Sequence, residues 1–259
     1  MTEAPAEKLR LGGMALRNGL LIHGPTHWSA AVRTPAGEIR TASGRKPRLH
    51  AMDGVPGARG VARLAEAMAV IPLVKRKLPE AEMPFADRRV AAVAAAASLG
   101  GTLLRRRARG AGADAAALML SLAPALFALR GGELAAYHGA EHKTIGAYES
   151  GSEDHAKEHD RCGSHLMAPM LASNLAGTVL LRRLLERPGP LAGAGVALAS
   201  TAAAVEVFAW SERHHDSALA RALRVPGHEL QRAVGTREPD AAQLEVAQAA
   251  LTELLTAEI

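Results

Sequence analysis

The sequence predicts a mainly α fold: a helical bundle with a small N-terminal β-rich module and a C-terminal amphipathic helix. Three observations predict it. Apolar residues make up 48% of the 259-residue chain and aromatics only 3%, so alanine, leucine and valine must build the core. Small side chains of this kind pack helices closely, in water or in lipid. Apolar runs dominate the chain after residue 60, whereas residues 11–60 are punctuated by Pro/Gly turns.

Residues 1–10 are expected to be a flexible N-terminus. They hold no apolar stretch followed by a small-residue cleavage site, which disfavours a cleaved secretory signal. Residues 11–60 read as the β-rich module. Trp28–Thr34 and Glu38–Ala42 are two extended segments joined by Pro35-Ala36-Gly37, a hairpin signal. The preceding stretch, bounded by Gly12-Gly13 and Gly24-Pro25, adds a strand.

Residues 61–215 form the helical bundle, with apolar runs at Val90–Leu104, Ala115–Leu129, Leu166–Leu181 and Leu191–Trp210. A spanning helix needs roughly 20 apolar residues. The last run reaches that length, the third approaches it, and the first two are shorter. Composition leaves both a lipid-embedded and a soluble bundle open, because alanine contributes little transfer energy. Residues 216–259 read as soluble helices. Pro226 suits a first turn, and Pro239 or Asp240 starts a last helix in which Leu244, Ala247, Leu251 and Leu254 recur at helical spacing. Its apolar face is expected to pack against a partner surface.

Lysine plus arginine number 31 against 26 acidic residues, a formal charge of +5. The basic clusters, such as Lys75-Arg76-Lys77 and Arg105-Arg106-Arg107, flank apolar runs and carry no interleaved aromatics. That pattern anchors helix ends and argues against nucleic acid. Cys162 is the one cysteine, which excludes an internal disulfide and Cys-pair zinc motifs.

Five of the 11 histidines lie in the segment 137–165. His138 and His142 are four apart, so on a helix both imidazoles project from one face. Glu141 between them gives His-x-x-Glu-His, the mirror of the zinc-protease arrangement in which glutamate takes a proton from water held by the metal. Three fixed letters also occur by chance on any histidine-rich helix. A third ligand is available from His159, Cys162 or Glu206, the last a carboxylate inside an apolar run. In a soluble bundle Glu206 simply faces water, and Cys162 is a small buried side chain.

Tyr137-His-Gly-Ala-Glu-His-Lys143, Ala147-Tyr148-Glu149, then His159 and Arg161-Cys162-Gly163 resemble the YqhQ-like family of bacterial multi-pass membrane proteins. Gly12-Gly13, Gly24-Pro25 and His27-Trp28 resemble its N-terminal block, and Thr236-Arg-Glu-Pro-Asp240 its C-terminal block. The resemblance implies a membrane-embedded bundle in the cell membrane, with the motif and terminal modules on the cytoplasmic side, and a metal-dependent activity. It implies that His138, Glu141, His142, His159, Cys162 and Glu206 occupy the family's polar positions. The chain departs from the pattern at Met14 and Asn18, where the family carries glutamine and glutamate, at Asp160, and at His165.

The expectation is therefore a metal-dependent hydrolase of the membrane. His138 and His142 bind a divalent metal, zinc foremost; Glu206, His159 or Cys162 completes the shell; and Glu141 is the catalytic base. The competing expectation is a non-enzymatic membrane scaffold or assembly protein with a structural metal or polar core. A proton or ion relay is the third. Membrane lipid, a protein partner or a second copy of the chain are the expected partners.

Overall fold

The computed structural model describes residues 8–52, 55, 58–108, 110–130, 132–152, 155–185 and 188–259. Residues 1–7 of the expected flexible N-terminus lie outside them. The next three residues are tied down, since the Leu9 amide donates to the Tyr148 hydroxyl at 3.1 Å and Arg10 pairs with Glu212 at 3.7 Å.

The β-rich module is a four-stranded antiparallel meander in the order β1-β2-β3-β4. Its strands are β1 (Gly12–Leu16), β2 (Gly19–His23), β3 (His27–Arg33) and β4 (Ile39–Arg45). The expected hairpin is β3–β4, and Gly37 supplies the positive φ, 87°, that its turn requires. The stretch before it yields two strands rather than one. Leu16 pairs with Gly19 across the Arg17-Asn18 turn, and Asn18 fixes that turn by donating to the carbonyls of Arg33 and Glu80.

Leu20, Leu21 and Ile22 are all fully buried. No polar alternation marks this strand because both faces of the sheet are covered. Leu20, Ile22 and Ala31 face helices α5 (Glu133–Ser150) and α9 (Ala241–Glu258). Leu21, Ala30 and Val32 face Val70, Val74 and Leu78 of helix α1 (Ala58–Lys77) and the loop after it.

The last helix thus packs on the sheet of its own chain, which corrects the expectation of a partner surface. Asp240 and Gln243 start it with a reciprocal capping box. The preceding helix α8 (Ala218–Leu230) also differs from expectation. Ser217, not Pro226, begins it, accepting from the Ala220 amide, and Pro226 sits inside.

Two helical hairpins leave this body. One is α2 (Arg88–Arg107) with α3 (Ala111–Leu120) and α4 (Ala123–Leu129); the other is α6 (Met167–Leu184) with α7 (Pro190–Arg213). Their far tips meet around a cavity walled by Arg105, Gly110, Arg182 and Gly189. Their near ends, at Pro84, Leu129 and Ser164, wall the cavity that holds the histidine motif. Asp114 of α3, buried between the hairpins, pairs with Arg182 of α6 at 2.8 Å.

All four apolar runs are helical. Among the described residues two segments, Ala111–Leu129 and Leu191–Arg213, are long and apolar enough to cross a membrane. The first gains its length because Gly110, at φ 119°, starts α3 earlier than the apolar run Ala115–Leu129 begins. The Leu166–Leu181 run, expected to be a stronger candidate than the first two runs, is not among them.

Candidate metal centre

Helix α5 carries the His-x-x-Glu-His motif and is buried around most of its circumference, as its even spread of small and apolar residues requires. Gly132, at φ 86°, precedes it, and Gly151, at φ 74°, ends it in the left-handed conformation. After Gly151 the chain turns back along the helix. Cys162 then caps a short 3-10 turn, its sulfur accepting from the Ser164 amide at 3.5 Å.

This return brings Sγ of Cys162 to 3.3 Å from Nε2 of His138. One ligand atom from each of His138, His142 and Cys162 lies within 4.8 Å of the others. In a tetrahedral zinc shell, bonds of about 2.0–2.3 Å place neighbouring ligands roughly 3.3–3.6 Å apart. The His138–Cys162 edge already has that length, and the others need to contract by at most about 1.5 Å.

The tautomers are set from outside the cluster. Nδ1 of His138 donates to the Gly235 carbonyl at 2.8 Å, and Nδ1 of His142 donates to the Lys157 carbonyl at 2.6 Å. A carbonyl only accepts, so both rings carry their proton on Nδ1 and present an Nε2 lone pair inward. Backbone carbonyls commonly play this orienting part behind metal-ligating histidines. Nε2 of His142 is buried and has no hydrogen-bond partner. Such an atom costs free energy unless something binds it.

Burial, with His138 adding to it, depresses the pKa of His142 to about 2, so the ring is neutral and ready to ligate. Burial pushes the Cys162 thiol up; a cation in the cluster would reverse this by favouring the thiolate. Burial also raises Glu141 to about 7 against the opposing pull of His138. The Glu141 carboxyl lies over Gly13 of β1, where an added Cβ would stand 2.5 Å from its carboxyl carbon. Beside the donor group is a cavity of about 400 Å³, lined also by Glu141, His159 and Arg161.

His159 walls this cavity, but both its nitrogens are engaged. Nδ1 accepts from the Arg161 amide at 3.2 Å, and Nε2 faces a Glu149 oxygen at 3.5 Å. Burial would raise the Glu149 carboxyl, yet its hydrogen bonds with His159 and Arg161 hold it below the usual range. Glu206 sits part-buried on α7 and neither joins the donor group nor lines its cavity. Of the expected polar residues, then, the fold gathers His138, His142 and Cys162 as a compact donor set with Glu141 beside it. It places His159 in the wall and Glu206 elsewhere. Asn18, which stands where a carboxylate was expected, serves the β1–β2 turn.

Residues 133–257 match the model of a protein family of unknown function (DUF1385). The match covers just under half of the chain and contains every donor residue together with the carbonyls of Lys157 and Gly235. No curated protein and no solved structure matches the chain.

Two supporting residues escaped the sequence reading. Gln231, fully buried, accepts from the His159 amide at 2.8 Å and donates to the Ser164 hydroxyl at 2.8 Å. It thus pins both sides of Cys162. It opens a π-helical turn, Gln231–Gly235, whose last residue supplies the carbonyl that orients His138. Such turns are rare and concentrate at functional sites. His165 is the other: it is buried, with Nδ1 3.1 Å from the Arg224 carbonyl and Nε2 3.2 Å from that of His159. It locks the loop to α8. Neither residue belongs to a spacing motif, so only their contacts reveal them.

Proposed function

We propose that the protein is a membrane-embedded, metal-dependent hydrolase in which His138, His142 and Cys162 hold a divalent cation and Glu141 acts as general base. The observation that carries this reading is the pair of inward Nε2 lone pairs, one of them buried and unpartnered, converging with a thiol. Two imidazoles and a thiolate suit zinc. Three protein ligands with a cavity alongside is the arrangement of catalytic zinc sites, whereas structural sites close the shell with a fourth. Among the described residues the donor group has three members.

A cation held here would make water a nucleophile near neutral pH and polarise the bond to be cleaved. The chain's own residues supply the rest. Glu141, with no hydrogen bond to its carboxyl among the described residues, is free to take a proton at its carboxylate and return it to the leaving group. His159, held by Glu149 and the Arg161 amide, shapes the cavity wall against a bound substrate. Burial keeps the His142 ring and the Cys162 thiol neutral until a cation binds.

The membrane part of the reading rests on the hairpins. Only 11% of each of the two apolar segments is buried, and Leu99, Met119, Leu180 and Leu198 are exposed. A contiguous apolar surface of this kind on a water-soluble protein would be a liability. With the sheet, α5 and α9 all at one end of the hairpins, the catalytic end stands on one face of the bilayer, which we take to be cytoplasmic.

The test is metal analysis of the full chain purified from membranes in mild detergent. Wild type should hold one equivalent of zinc and the His138→Ala/His142→Ala variant almost none. Glu141→Gln should keep its metal. Equal metal content in wild type and the double variant would overturn the assignment.

A further inference from the structure

We infer that the cavity beside the donor group receives the apolar tail of a membrane amphiphile, so that the substrate is lipid-like and enters from the bilayer. The inference rests on the hydrolase reading for the word substrate, but the binding claim stands on the cavity alone. The cavity lining is mixed. The donor group, Glu141 and His159 share it with the apolar side chains of Met14, Ala15, Leu129, Leu134 and Ile145. A polar head with a cleavable bond fits the former set and an alkyl chain the latter.

The apolar residues point to where such a ligand would come from. Leu129 is the last residue of the segment long enough to span the membrane. Across Pro84 and Leu134, which wall both spaces, lies a second cavity of about 400 Å³ lined by Val90 of α2 and by Phe127 and Ala128 of α4, and equally by the charged Arg17, Asp87, Arg89, Arg130 and Glu133. Arg89 and Arg130 stand at the second cavity beside Asp87 and Glu133, cations that suit a lipid headgroup.

A water-soluble substrate would give no reason for an apolar wall continuous with membrane-spanning helices. Strand β1 is the discriminating element. It belongs to the sheet and lies outside both apolar segments, and its Met14 and Ala15 line the cavity.

The full chain is reconstituted in phosphatidylcholine–phosphatidylglycerol vesicles doped with a phospholipid carrying a diazirine on its acyl chain, irradiated, and mapped by mass spectrometry. We expect label on the tryptic peptide of residues 11–17 as well as on α7. Leu134→Trp, which fills the junction, should lower label on residues 11–17 at least fivefold and leave α7 unchanged. Excess unlabelled lysophospholipid should compete in the wild-type protein, which keeps the test valid should the tryptophan variant fail to fold. Label on residues 11–17 no higher than on the solvent-facing strand β4, or label that lysophospholipid does not reduce, overturns the inference. Metal content measured on the same samples separates the two proposals. Labelling without metal sinks the metal reading alone, and metal without labelling sinks only the lipid-like substrate.

Discussion

The sulfur of Cys162 lies 3.3 Å from Nε2 of His138, across 24 residues of chain. That contact turns a two-histidine helical motif into a three-donor group, and it makes the cysteine the residue to test first. Cys162→Ala should lower zinc affinity by at least about 100-fold, more than the 10–100-fold typical of losing an orienting partner. With cobalt in place of zinc, wild type should show a thiolate charge-transfer band that the variant lacks. His159→Ala should leave the metal stoichiometry unchanged. A cobalt spectrum free of sulfur character would remove Cys162 from the shell.

Gln231 touches no donor atom, yet it holds the segments on both sides of Cys162. Gln231→Ala leaves the His159 amide unpaired, at a cost of about 1–3 kcal/mol, and frees the cysteine to drift. Zinc affinity should fall 10–100-fold, read by competition with a chromogenic chelator. Wild-type affinity in this variant would show that the loop is held by other means.

Two glycines at close approaches predict different failures. A Cβ at Gly139 would collide with the backbone carbonyl of Arg237, which cannot swing away because the Arg237 amide donates to Ala135. Gly139→Ala should therefore cost about 1–3 kcal/mol of stability, seen as a lowered melting temperature. A Cβ at Gly13 would meet only the carboxyl end of Glu141, a flexible group. Gly13→Ala should fold and load metal normally while losing hydrolytic rate, about 10²-fold or more if Glu141 is the base. Full activity in Gly13→Ala would show that the position of that carboxyl is unimportant.

His23, at the end of β2, is held neutral by burial first and by nearby Lys46 second, its pKa lowered from 6.5 to about 4. The unfolded chain binds the proton more readily between these values, so stability from this group is complete above pH 6.5 and is lost as the pH falls toward 4. Melting temperature should drop across that window in wild type and drop less in His23→Gln. Parallel profiles for the two proteins would assign the acid sensitivity to other groups.

Much of this was legible in the chain itself. The length of the apolar runs, the helical spacing of Leu244, Ala247, Leu251 and Leu254, the turn chemistry of Pro35-Ala36-Gly37 and the i, i+4 spacing of His138 and His142 are local properties. They fix the helices, the hairpin and the shared face of the two imidazoles without help from the rest of the molecule. The tertiary structure alone decided which distant donor joins them. Cys162, His159 and Glu206 were equivalent on paper, because their worth as ligands depends on where a return loop and a separate helix end up. Packing chose the cysteine, occupied both nitrogens of His159 with Arg161 and Glu149, and left Glu206 on another helix. The last helix shows the same division. Its apolar stripe was plain from residues 244–254, but whether a partner or the chain's own sheet covers that stripe is settled only when the sheet's second face needs burying.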